Sequence, residues 1–145
     1  MTPDVDVLVA ASRSDHPHHA VARAWLEATF AGVDAGTVLT LMPMVLASFL
    51  RLVSSPKIFK LPTPVEEAVR FVDALLDGGA HLAQPPSGHD CVSFVGSSSS
   101  PATTCRMPGW RQPRCTWQNI LVSFDRDFKR LLGRNQFTLL EPGPV

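Results

Sequence analysis

At 145 residues, with 45% hydrophobic side chains and a mean hydropathy just above zero, the chain is long enough to bury one sizeable core and too short for two. Its 13 basic and 13 acidic residues cancel, which excludes attraction of the whole molecule to nucleic acid and leaves any such contact to local basic patches. Cys91, Cys105 and Cys115 make no even disulfide framework, the start lacks a basic stretch leading into an apolar run, and no apolar stretch reaches the ~20 residues of a membrane helix; a soluble cytoplasmic protein is expected.

The first 84 residues read as regular α/β sequence. Val5, Val7, Leu8, Val9 and Ala10 make a nearly continuous apolar run, which predicts a strand covered on both faces. A helix follows, with Asp15 as its cap, Pro17 in its first turn, Val21, Ala24, Trp25 and Ala28 on one face, and Gly32 as its stop. Thr37 to Leu41 is a second strand. Pro43 opens a helix through Val45, Leu46, Phe49, Leu50 and Val53 that ends near Ser55-Pro56. Thr63-Pro64-Val65-Glu66 has the form of a capping box, followed by Val69, Phe71, Val72, Leu75 and Leu76 before Gly78-Gly79. His81 to Gln84 is a third strand, and the alternation of strands and helices favours a parallel sheet. Near the end, Ile120 to Phe124 and Phe137 to Leu140 read as strands, with a short helix somewhere in Asp125 to Leu132 between them.

Residues 97–118 differ in kind. Four serines are followed by Pro101, Pro108, Gly109, Pro113 and three arginines with neither helical nor strand period, a long irregular or disordered loop of a type uncommon inside a compact domain.

Four stretches resemble one family when taken in order: Pro3-Asp4-Val5-Asp6-Val7-Leu8, Asp15-His16-Pro17-His18-His19-Ala20, Ser48-Phe49-Leu50-Arg51-Leu52-Val53, and Val122-Ser123-Phe124-Asp125-Arg126-Asp127-Phe128. They are similar to the PIN-domain ribonucleases of the VapC toxin type over roughly residues 1–90 and 119–141. The resemblance implies a single PIN-like α/β domain over residues 1–141, three-layered around a mostly parallel sheet, with 97–118 as an aberrant loop within it. It also implies an endoribonuclease toxin with a VapB-type antitoxin as partner, RNA as substrate, and a homodimer; the broad apolar helices around Phe49 and Phe71 read first as core, though such proteins also use helices of this kind to dimerise and to receive the antitoxin's C-terminal segment. In such proteins, acidic side chains at the carboxyl ends of the strands hold Mg²⁺ or Mn²⁺, because hard divalent cations take oxygen ligands. Asp4 and Asp125 match the first and last family acids and are the expected catalytic and metal-holding residues, with Asp127 as an auxiliary ligand. Asp6 stands where the family has Asn or Ser. A second family acid falls at Ser48, leaving Glu66 or Glu67 as substitutes. Arg51, Arg126, Lys129, Arg130 and Arg134 are candidate RNA-backbone contacts, and Lys57 and Lys60 pose the same choice between contact and solvated face.

A third family acid belongs to a Pro-Asp-Ala-x-Leu-Ala-Ala helix expected between residues 100 and 118, a span that holds no acid here. Joining the last base of each codon to the first two of the next lets Pro101 to Gln112 spell GNDVPDAWLAA and Pro113 to Asn119 continue as TALHMAE. The alanines that follow Met107 and Trp117 are forced, since both residues have single codons ending in G, and the motif's aspartate arises from Arg106 and Met107. Two compensating frameshifts, near Ser97 to Ser100 and near Ile120, account for this segment and remove the third acid.

Blander and rival readings stand beside these. Asp4 and Asp6 serve equally as polar strand-end residues, and Asp125 and Asp127 as caps of the following helix. His16, His18 and His19 are more ordinary as solvated first-turn residues than as metal ligands, and Cys105 and Cys115 lack zinc-site spacing. The Asp4-x-Asp6 pair also resembles the opening of haloacid-dehalogenase phosphatases, without their later lysine and paired acids. A catalytically dead remnant that still binds an antitoxin or dimerises is the other alternative.

Overall fold

The computed structural model describes residues 1–32, 37–83, 119–132 and 135–141. The expectations for residues 97–118, the three cysteines, Gln84 and Arg134 lie outside the described residues.

β1 is short, Thr2–Pro3, and pairs in parallel with β4, Leu121–Ser123, so that Thr2 faces Leu121 and Pro3 faces Val122. Proline is tolerated there because the ladder takes its donors from the flanking residues: the Thr2 amide donates to the Ile120 carbonyl and the Asp4 amide to that of Val122, each at 2.8 Å. β4 pairs on its other side, again in parallel, with β5, Phe137–Leu139. β2, Thr40–Leu41, pairs in parallel with β3, His81–Leu82. The Thr40 amide donates to the Met1 carbonyl at 2.8 Å, which brings β2 alongside the start of β1. Among the described residues β1-β4-β5 form one parallel sheet and β2-β3 a second, and the Thr40–Met1 bond sets the second beside β1, so the strands run β3-β2 then β1-β4-β5. The chain winds outward from β1 to β3 and resumes on the other flank at β4, and a reversal of this kind opens a crevice at the carboxyl ends of the two strands where it occurs.

The apolar run expected as a strand is a helix. α1 spans Val5–Ser12, and Val7, Leu8, Val9, Ala10 and Ala11 are all buried along it. A continuous apolar run suits a doubly covered strand and an all-round buried helix equally, and here α2, α3 and β4 cover the segment from several sides. What decides between them is Asp4, whose Oδ1 accepts from the Val5 amide at 2.7 Å and caps the first turn, with Asp6 adding negative charge at the same end.

α2 runs His19–Ala31 and closes at Gly32, whose amide donates to the Ala28 and Thr29 carbonyls. α3 is Pro43–Val53, with proline in the first turn as expected, and α4 is Val65–Asp77. Beyond α4, Gly79 takes φ +100°, a left-handed conformation that suits glycine after a helix end. α5 is one turn, Phe128–Leu131. All these elements belong to one compact unit, and its core gathers α1 with Ala22, Leu26, Leu39, Leu41, Phe49, Val53, Val122 and Leu140. Among the described residues no helix is long and apolar enough to cross a membrane.

Neither expected side-chain cap forms: α2 begins only at His19, past the Asp15 and Pro17 expected at its start, and one buried arginine engages both expected capping groups. The Asp15 carboxylate accepts from Arg13 at 2.9 and 2.7 Å through Nε and Nη2, while the Thr63 hydroxyl, foreseen as the cap of α4, accepts from Arg13 Nη1 at 2.9 Å. The guanidinium also lies 4.0 Å from the centre of the Phe59 ring. A fork of charged donors outcompetes a weak neutral cap, and Arg13 thereby ties the turn after α1 to the connection between α3 and α4. Arg13→Met is expected to lower unfolding free energy by about 2 kcal/mol in urea titrations, since charge-assisted hydrogen bonds and a desolvated cation–π contact are lost together. The exposed Asp15 partner matters less. The Arg13 hydrogen bond holds the Asp15 carboxyl below its ordinary pKa, so the pair's contribution is complete above the usual carboxylate range and fades as pH falls through the depressed value.

Candidate functional site

The carboxyl ends of β1 and β4 meet at Ser123. Ser123 is fully buried, a polar residue in an otherwise apolar strand, and its hydroxyl lies 3.2 Å from Asp4 Oδ2 and 3.0 Å from Asp6 Oδ2. A serine hydroxyl has one hydrogen to give, so two carboxylates share a single donor there. Its lone pairs take the Asp125 amide at 3.0 Å, and the Phe124 amide donates to Asp6 Oδ2 at 3.1 Å. The other oxygen of Asp6, Oδ1, is buried and has no hydrogen-bond partner among the described residues.

Asp6 is therefore short of stabilising donors. Burial first, and the Asp4 charge second, push its carboxyl above the ordinary pKa despite the hydrogen bonds from Ser123 and Phe124. A raised carboxyl binds its proton more tightly in the folded chain, so stability is fullest below the ordinary carboxylate range and declines as pH rises through the raised value. Asp6→Asn abolishes that decline and installs the residue type found in the family. Its melting midpoint is expected to exceed that of the unchanged chain by about 4 °C at neutral pH, the shift of roughly 1 kcal/mol in a domain of this size. Thermal scans repeated in acid should show the gap close; an equal gap at every pH would remove ionisation as its cause.

Each residue expected at the site has a definite place. Asp4 lies at the end of β1, against Ser123 and the first turn of α1. Asp125 joins the cluster through its backbone, while its exposed carboxylate accepts from the Asp127 amide at 2.8 Å and orders the turn before α5. Asp127 is exposed at the helix start, and its side chain makes no capping bond. Arg126, Lys129 and Arg130 are exposed on and before α5, following directly on the strand that carries Asp125. Arg51 is exposed in the last turn of α3. Ser48 is half-buried in α3, and Glu66 and Glu67 are exposed in the first turn of α4. Among the described residues no three acidic, histidine or cysteine side chains gather tightly enough to hold a metal ion, so neither glutamate joins Asp4 and Asp6.

Two residues of the cluster received too little weight from sequence alone, Asp6 and Ser123. The signal for Ser123 was a hydroxyl two positions before Asp125 inside an apolar strand, and for Asp6 a carboxylate two positions after Asp4, one short helical step away.

The histidines follow a different pattern. His19 Nδ1 donates to the Ala10 carbonyl at 2.9 Å, and His16 Nδ1 accepts from the His18 amide at 3.2 Å. Burial and the neighbouring His18 hold the His16 imidazole below its ordinary pKa, in keeping with that accepting role. The His18 ring stacks on Phe124, with centroids 4.9 Å apart and planes inclined by 29°.

Carboxylate and hydroxyl oxygens are the donors a hard divalent cation prefers, but among the described residues the two carboxylates that converge here fall short of a set able to hold one.

Comparison with known proteins bears on this geometry. No protein-family model matches the chain. The chain is 43% identical to ribonuclease VapC25 of Mycobacterium tuberculosis over 89 residues, 61% of each protein, and 43% identical to ribonuclease VapC31 of the same species over 83 residues, 57% of this chain and 56% of that one. Those two alignments span about three-fifths of the relatives' lengths. A longer alignment joins it to ribonuclease VapC43 of Mycobacterium tuberculosis, 36% identical over 139 residues that cover 91% of this chain and 92% of the relative. With a parallel α/β fold of PIN-like form and a similarity running nearly end to end, the chain belongs to the VapC ribonuclease family.

Proposed function

We propose that the protein is the toxin component of a type II toxin–antitoxin pair, an endoribonuclease dependent on Mg²⁺ or Mn²⁺, and that the present spelling of residues 97–118 lowers its activity. The observation that carries the reading is the convergence of Asp4 and the Ser123-Phe124-Asp125 segment at the carboxyl ends of adjacent parallel strands. Asp4 and Asp125 hold the ion in this reading, with Asp127 as an auxiliary ligand and Asp6 adding negative charge beside them. Once bound, the ion supplies an activated water and neutralises charge that builds on the attacked phosphate. Ser123 fixes the Asp4 carboxylate, and Arg126, Lys129, Arg130 and Arg51 offer positive charge to the RNA backbone.

The name of the family suggests the partners: a VapB-type antitoxin and an RNA substrate. A second copy of the chain is the third partner in this proposal. Apolar side chains exposed from α3 to α4, among them Met44, Ile58, Leu61, Val65 and Val69, suit burial of this kind. The reading is tested by Mg²⁺-dependent cleavage of structured RNAs, compared between this chain and one in which the middle segment is restored to the family spelling. Cleavage that is indifferent to chelator and to Asp4→Asn would overturn it.

A further inference from the structure

Resting on the ribonuclease reading, we propose that His18 is an RNA-contacting residue whose imidazole N–H donates to a phosphate beside the carboxylate cluster. Position is the first support. Phe124 gives its amide to Asp6 and immediately precedes Asp125, and the His18 ring lies on the Phe124 ring. The imidazole is therefore packed on a residue whose backbone belongs to the acidic centre.

Availability is the second. His16 and His19 each spend a ring nitrogen on the protein, whereas neither ring nitrogen of His18 has a hydrogen-bond partner among the described residues. The ring is nonetheless held: Phe124 stacks on it, the His16 ring meets it edge-on with centroids 5.5 Å apart, and it is half-buried at the residue preceding α2. A donor so fixed loses little rotamer freedom on meeting a ligand.

Chemistry is the third. Asp4, Asp6, Asp125 and Asp127 present negative charge to a polyanion, so a phosphate approaching them needs donors nearby. Imidazole keeps at least one N–H whether neutral or protonated, and its service here requires no change of protonation state. The exposed lysine and arginines of the α5 region supply charge; His18 supplies a donor on a ring held against Phe124, the residue whose amide bonds Asp6.

The test is binding of a short fluorescein-labelled single-stranded RNA, followed by anisotropy in chelator so that no cleavage intervenes. H18F keeps a ring against Phe124 and removes the donor, and its dissociation constant is expected to rise about tenfold, equally for RNAs of unrelated sequence. H18Q retains an N–H donor and is expected to stay within about threefold of the unchanged chain. H18M, donor-free and without an aromatic ring, carries the same expectation as H18F and serves if H18F does not fold. Unchanged affinity in H18F or H18M, or equal losses in H18F and H18Q, would overturn the proposal while leaving the nuclease reading intact. Failure of the unchanged chain to bind RNA at all would overturn both.

Discussion

Replacing residues 101–119 with the family spelling, GNDVPDAWLAA followed by TALHMAE, is expected to raise Mg²⁺-dependent RNA cleavage by at least about a hundredfold. The expectation rests on how many carboxylates the site can assemble. Asp4 and Asp6 converge on Ser123, but among the described residues no third acidic side chain completes a metal-holding group. By the family resemblance Ser48 stands where a second acid is expected, and the segment expected to bring a third contains none. A divalent ion held by too few charged ligands binds weakly and lowers the pKa of its water less effectively. The restored aspartate answers that deficit directly. Asp4→Asn placed in the restored chain should return cleavage to the level of the unrestored one, because each acid is necessary and neither suffices. A restored chain no faster than the original, with Asp4→Asn changing neither, would remove the carboxylates from the chemistry. Sequencing the gene and weighing the intact protein would then establish which spelling the cell makes.

Much of the architecture was legible before any coordinates. Prolines and glycines bound α3 and α4 where expected, since Pro43, Pro64 and Gly78-Gly79 act through local backbone geometry that needs no tertiary context. The parallel pairing followed from the alternation of elements, although every described strand is only two or three residues long, β2 to β5 fall short of the runs read for them, and the run read as the first strand is α1, with β1 just before it. Side-chain caps were less legible. Asp15 has the right identity for a cap, but α2 starts only at His19 and Asp15 pairs locally with Arg13 instead; Thr63 is drawn to the same arginine from across the fold, and no local pattern announces a contact between residues 50 positions apart. The site was half legible. Asp4 and Asp125 came through the resemblance, whereas the Asp6–Ser123 contact joins residues 117 positions apart and depends on strand register. Only once Pro3 is set opposite Val122 does a buried serine come to serve two carboxylates.

The identity of α1 as a buried helix carries the second large expectation. Leu8 is fully buried, as are its neighbours Val7 and Ala10, and the helix they form has Asp4 at its cap and Asp6 in its first turn. The same residues thus position the acidic pair and fill the core, so the site inherits its rigidity from the packing beneath it. Leu8→Ala is expected to cost about 3 kcal/mol, the removed side chain's transfer energy plus the cavity that close-packed neighbours fail to close. For a domain stabilised by about 5–15 kcal/mol, that lowers the melting midpoint by roughly 10 °C. A proline substitution separates helix from strand more sharply. In a helix, Val9→Pro removes an amide that bonds back one turn and clashes with the carbonyl four residues earlier, costing at least about 3 kcal/mol. Val5→Pro falls at the first helical position, where no amide bonds back along the helix, and its loss is limited to the Asp4 cap contact, about 1 kcal/mol. Chemical denaturation of the two proline variants reads this contrast. Equal losses at positions 5 and 9 would show that the segment is not a helix, and the carboxylates of Asp4 and Asp6 would then lack the scaffold that brings them to Ser123.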